Sequence, residues 1–223
     1  MASVSRYIVE RGPDQIRTAF RGIVDLCESK GIAKVTLVVP QKRSWDATIV
    51  AQFLGPAVAK ALLKGQPVTI TKGAMMRLES AQTFRGHTSH GLFVGAHISV
   101  KDMNKLDDSW DAQAIVYLPW NDMEGQEWRA TWNPETFGPI VKNPPVSSFS
   151  APVEDALSQL TQSINLGTGL GHPSDKRHAE RVIDKLRADG YSFEPAEVRR
   201  WARRNGWSSN AAADLESIAR KRR

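Results

Sequence analysis

The residues best suited to chemistry sit directly behind β-branched runs. QKRSWD, residues 41–46, follows KVTLVV and Pro40 and stands ahead of a helical pattern. Lys42 and Arg43 supply two cations, Ser44 a hydroxyl and Trp45 an aromatic ring. Placed before a helix N-terminus, such a loop can hold a phosphate or a carboxylate. The same residues read more simply as a helix cap, with Asp46 or Ser44 bonding the first amides, and one loop can do both. A second loop, Trp120-Asn121-Asp122, follows the apolar run AIVYL and Pro119. In an open α/β sheet, ligands bind outside the carboxyl ends of the strands. Strand ends therefore assemble a candidate site for an anionic small molecule from Lys42, Arg43, Ser44, Asp46, Asn121 and Asp122. Glu10, Arg11, Thr71, Lys72, His97 and Trp120 follow other strand ends or lie beside them.

The other concentration of chemistry is cationic. From Pro195 onward eight lysines and arginines face three carboxylates, which accounts for five of the chain's six net positive charges. At helical spacing Val198, Trp201 and Ala202 face a core, and Arg199, Arg200, Arg203 and Arg204 are expected to project outward. An arginine ridge can pair its planar forks with phosphates or guanine edges, so nucleic acid is a candidate partner. A solvated helix face with a basic end is the alternative reading. The word WARRNG, residues 201–206, is similar to part of the DNA-binding domain of actinobacterial H-NS-like nucleoid-associated proteins. In those proteins an Arg-Gly-Arg loop follows and enters the minor groove. Here Trp207-Ser208-Ser209-Asn210 stands in its place, and the family assignment is not carried over.

Several activities lack their usual residues. GTGLG, residues 167–171, follows a helix rather than a strand and has no GK[ST], so it reads as a hinge, not a phosphate loop. His87 and His90 have a usable metal spacing, but no thiolate accompanies them, and no metal is expected. Cys27 lies on an apolar helix face and reads as inert core. No GxSxG elbow is present. Asp107, Asp108 and Asp111 read as an exposed turn. No catalytic residue and no cofactor is assigned.

The elements that must position these residues alternate between two periods. Strand patterns fall at residues 6–10, 34–39, 67–71, 91–94 and 114–118. Helical patterns fall between most of them, with Gly31 closing the first, and Gly55-Pro56 either kinking the second or starting a new helix. Residues 75–88 read as a short helix or an irregular excursion. The pattern implies an open, mostly parallel Rossmann-like sheet of about five strands. Trp120, Trp128 and Trp132 are expected to clamp its last helix.

KNPPVSSFS then marks a boundary, and beyond it only helical patterns occur. The expected organisation is an α/β domain over 1–142, a Pro/Ser-rich linker over 143–150 and a basic helical module over 151–223. At 223 residues, 41% hydrophobic and 24% charged, the chain can bury a substantial core. One cysteine, no leader-like apolar core at the N-terminus and no run near the roughly 20 apolar residues of a membrane helix suggest a cytoplasmic protein without a membrane partner. Two functions follow. One is a regulatory or accessory protein whose helical module contacts nucleic acid. The other is an enzyme or sensor for a phosphorylated or nucleotide-like molecule, with the C-terminal helices only structural.

Overall fold

Residues that alternate between two faces of a strand need cover on both sides, and this chain supplies it. The computed structural model describes residues 4–86, 90–139, 143 and 149–221. The first unit runs through β1 (Ser5–Val9), α1 (Gln15–Lys30), β2 (Lys34–Val39), a 3-10 turn (Lys42–Ala47), α2 (Ile49–Leu54), α3 (Pro56–Leu63) and β3 (Val68–Thr71). It continues with β4 (Ala74–Ser80), β5 (Gly91–Ala96), α4 (Val100–Asp107), β6 (Ala112–Leu118), α5 (Asp122–Trp132) and β7 (Glu135–Phe137). Among the described residues the sheet has seven strands in the order β3-β4-β2-β5-β6-β1-β7. Only the β3–β4 pair is antiparallel.

Tyr7, Leu37, Met76, Val94 and Val116 pack on one face with Ile23 of α1, Val50 of α2 and Leu62 of α3. The opposite face takes α4 and α5. Tyr117 meets Trp128 edge-on with centroids 5.5 Å apart, and at Gly95 an added Cβ would lie 2.2 Å from Met103 Sδ. Gly91 lies against backbone, since a Cβ there would sit 2.2 Å from the Lys34 carbonyl oxygen.

Two strands exceed the expected number. β4 occupies the stretch read as helical or irregular. Its Ala, Met, Arg, Leu and Glu content favours helix, but the side chains alternate inward and outward, and pairing with β2 and β3 on its two edges decides the conformation. β7 is three residues long, too short for periodicity to reveal. It pairs with β1, and Phe137 stacks on Tyr7 with ring centroids 5.0 Å apart. The break at Gly55 resolves into two helices, with Pro56 opening α3 and Gly55 at φ +84°.

The second unit holds α6 (Ala151–Ser163), α7 (Pro173–Ala188), α8 (Pro195–Arg204) and α9 (Ser209–Lys221). Residues 130–132, the last turn of α5, group with it by contact. Leu157, Ile183, Trp201, Trp207 and Leu215 share its core, and Trp207 Nε1 donates to Thr161 Oγ1 at 2.9 Å. Within the glycine cluster read as a hinge, Gly169 is packed while Gly167 and Gly171 are exposed. Gly169 is buried at φ +57°, and a Cβ there would lie 2.5 Å from Ala211 Cβ. Most of the expected linker lies outside the described residues. No helix among the described residues is long and apolar enough to cross a membrane.

Candidate functional site

The crossover directions locate the cleft. From β2 the chain moves outward to β4, whereas from β5 it moves the other way to β6. β2 and β5 are neighbours, so their carboxyl ends diverge and leave a crevice between the two connections. A cavity of about 630 Å³ opens there. Val39 and Pro40 line it from β2, Ala96 and His97 from β5, and Trp120 from the loop after β6. Ser44, Ala47, Thr48, Ile49 and Val50 close one side, and Ser99, Asp102 and Glu124 the other. This volume falls within the range typical of small-molecule sites.

His97 is placed by its backbone. It adopts φ +55°, a conformation few residues other than glycine take, while its N–H donates to the Leu118 carbonyl at 2.9 Å. The left-handed turn follows the last β5–β6 pair and leaves the imidazole against Trp120, with ring centroids 5.0 Å apart. Burial lowers the His97 pKa from its ordinary value, so the ring is neutral at pH 7. Trp120, in contrast, remains 61% exposed, and Ile49 across the cleft 48%. Trp120 therefore does not clamp α5. Trp128 does, fully inside the fold.

Two helix starts face the cleft, and each carries its own carboxylate. Ser99 caps α4, accepting from the Asp102 N–H at 3.2 Å and donating to Asp102 Oδ2 at 3.0 Å. Asp102 also pairs with Lys105 at 2.8 Å. Asn121 caps α5 by accepting from the Glu124 N–H at 3.0 Å. The Glu124 carboxylate lies 3.4 Å from the buried Tyr117 hydroxyl, which also donates to the Ile98 carbonyl at 3.0 Å. Burial first, and Glu124 second, push the Tyr117 pKa upward, so the phenol stays protonated. The positive ends of both helix dipoles thus meet side chains of the same helices.

Of the strand-end residues expected to bind an anion, Ser44 lines the cleft. Lys42 pairs with Glu79 at 3.4 Å, and Arg43 donates to the Gln41 side chain at 2.6 Å. Asp46 is exposed, Asn121 is committed to its cap, and Asp122 pairs with Arg11 at 3.6 Å. Neither Ser44 nor Asp46 caps α2. Thr48 does, accepting from the Ala51 N–H at 3.1 Å, because the 3-10 turn carries the helix start past the loop. Trp45 is buried and donates to the Ala59 carbonyl at 3.0 Å. Asp102 and Glu124 were missed, although Ser99-x-x-Asp102 and Asn121-x-x-Glu124 both carry the spacing of a helix start.

The arginine ridge is also rearranged. Arg203 is buried and donates to the Trp207 carbonyl at 2.8 Å. Arg199 pairs with Glu216 at 3.4 Å, while Arg200 and Arg204 are half-buried. Asp107, read as part of an exposed turn, has a fully buried side chain that accepts from Arg6 Nε at 2.8 Å and Trp128 Nε1 at 2.9 Å. His87 lies outside the described residues and His90 is exposed. Among the described residues no group of three or more His, Cys, Asp or Glu is arranged to hold a metal ion. Cys27 is buried in the core against the sheet.

Residues 150–223 are similar to a family described as a domain of unknown function (DUF1889), which spans the helical unit and leaves the α/β unit unmatched. Comparison with the curated proteins and with the solved structures gives no significant match.

Proposed function

We propose that the α/β unit is a Rossmann-like binding domain for a nucleoside- or nucleotide-like small molecule, held in the crevice between the ends of β2 and β5. One observation carries this reading: the cleft at the divergence of the two crossovers presents an exposed tryptophan face over an apolar wall. Val39, Pro40, Ala96, Val50 and Ile49 supply that wall, and Trp120 supplies a surface for a planar ring. His97, Ser44 and Ser99 add neutral polar groups around the edge. The domain map 1–142, 143–150 and 151–223 goes with this proposal, as does a cytoplasmic setting, which the single buried cysteine suits.

The test is a thermal-shift and tryptophan-fluorescence titration of the intact protein with the common ribonucleosides and ribonucleotides. A saturable shift that disappears in Trp120→Ala supports the reading. A flat response across the panel removes it.

A second reading, nucleic-acid contact through α8 and α9, draws support from the charge of residues 195–223. Arg199, Arg200 and Arg204 keep part of their surface in solvent, and Arg220 pairs with Glu216 on an exposed edge. Arg203 contributes through packing in this reading, since its guanidinium is buried. Binding of a short duplex at low salt, weakened by Arg200→Ala with Arg220→Ala, is the expected result. Unchanged binding in that double variant would dismiss the arginine ridge as the contact surface.

A further inference from the structure

The charge arrangement of the cleft narrows its ligand further, and this step rests on the nucleoside-like reading above. Among the described residues lining the cavity there is neither lysine nor arginine, and the two charged side chains are Asp102 and Glu124. They differ in what already faces them. Asp102 has Lys105 at 2.8 Å and the Ser99 hydroxyl at 3.0 Å. Glu124 has, among the described residues, a neutral phenol for a partner, the Tyr117 hydroxyl at 3.4 Å. That hydroxyl has a shorter bond to the Ile98 carbonyl, at 3.0 Å, and it carries a single proton. Glu124 therefore keeps acceptor capacity and its carboxylate charge in the cleft that Trp120 also lines.

Phosphate recognition needs the opposite arrangement: free helix N–H groups, a dipole not yet neutralised, or arginine and lysine forks. Both helix starts here are capped by their own side chains and carry acids in the first turn. The nearest cations of the preceding loop, Lys42 and Arg43, are directed to Glu79 and Gln41. A carboxylate and a flat aromatic surface lining one cleft suit a ligand with a planar ring and hydroxyl or amino donors. A ribose diol is such a donor pair.

We infer that the cleft recognises an unphosphorylated nucleoside, with the base against Trp120 and the sugar hydroxyls donating to Glu124, and that it discriminates against the corresponding 5′-phosphate. Glu124 is the specificity-determining residue: it adds a hydrogen-bond acceptor for the sugar and a like charge against phosphate.

The experiment is calorimetric titration of the full chain with the four common ribonucleosides and, separately, their 5′-monophosphates, at low and moderate salt. At least one nucleoside is expected to bind, its monophosphate at least about tenfold more weakly, with the gap closing as salt rises. Glu124→Gln, which keeps an acceptor for the Tyr117 hydroxyl, is expected to weaken nucleoside binding about tenfold and to shrink the discrimination against phosphate. The corresponding 2′,3′-dideoxynucleoside is expected to bind wild type as weakly as the nucleoside binds the variant. Equal or tighter binding of the monophosphate, with the ratio unchanged in Glu124→Gln, overturns this inference and leaves the binding-domain reading standing. Absence of binding by either series overturns both. Thermal unfolding of Glu124→Gln, measured beside wild type, separates a lost contact from a lost fold.

Discussion

His97 and Trp120 meet edge to face, their ring planes at 81° and their centroids 5.0 Å apart, across the ends of neighbouring strands β5 and β6. The contact shields the imidazole on one side, while Trp120 keeps most of its own surface open. A residue from each of two loops is thereby fixed without closing the cleft between them.

The lowered His97 pKa makes stability pH-dependent in a definite direction. Because burial disfavours the charged ring in the folded state, the unfolded chain binds the proton more readily. His97 therefore costs nothing above its unfolded value, about pH 6.5, and destabilises the fold progressively as pH drops from there toward the folded pKa. Urea midpoints measured between pH 7.5 and 5 should fall less steeply in His97→Gln than in wild type. Parallel curves for the two proteins would place the pH dependence elsewhere.

Trp120→Ala should leave the fold nearly untouched. A side chain 61% exposed contributes little core burial, so a change within roughly 1 kcal/mol is expected by chemical denaturation. Removing the ring should also raise the His97 pKa toward its ordinary value, which an imidazole NMR titration reads directly. A loss of several kcal/mol would show that Trp120 packs as Trp128 does.

Asp107 should be far less forgiving. Its buried carboxylate accepts from both Arg6 and Trp128, linking β1, α4 and α5. Asp107→Ala removes the acceptor shared by the mostly buried Arg6 guanidinium and the Trp128 indole N–H, at a cost of about 3–5 kcal/mol. Asp107→Asn retains acceptor capacity without the charge and should lose less. Denaturation midpoints in the order wild type, Asn, Ala check this.

Gly169→Ala distinguishes a packed turn from a hinge. The new Cβ would press on Ala211 at 2.5 Å, and the backbone sits at φ +57°. A loss of about 1–3 kcal/mol is expected in the helical unit, read by loss of hydrogen-exchange protection in α9. Gly171, with open space around it, should accept the same substitution at little cost.

Cys27 should label only when the first unit opens. Burial, and then the neighbouring Glu28, raise the thiol pKa and keep the nucleophilic thiolate scarce. Reaction with a disulfide reagent at pH 8 should follow unfolding, with urea accelerating it in step with loss of structure.

Local pattern sufficed where local forces decide. The β-branched run KVTLVV, the glycine stop at Gly31 and the amphipathic C-terminal helices were legible in the sequence, because side-chain period, capping and backbone stereochemistry act within a few residues, while Gly55-Pro56 left a kink and a new helix both open. β4 was not, since its residues favour helix and only two flanking strands make it a sheet member. The cleft was legible in half: strand-end logic reached Ser44, His97 and Trp120, but not which of their neighbours point inward. Lys42 and Asp122 are drawn to Glu79 and Arg11, far along the chain, while Arg43 turns to the nearby Gln41 and Arg203 to the Trp207 carbonyl four residues on. Charge along a sequence shows which ions are present. Only the packed structure decides which of them neutralise one another and which, like Glu124, stay facing an open cleft, because that balance is set by distance in space.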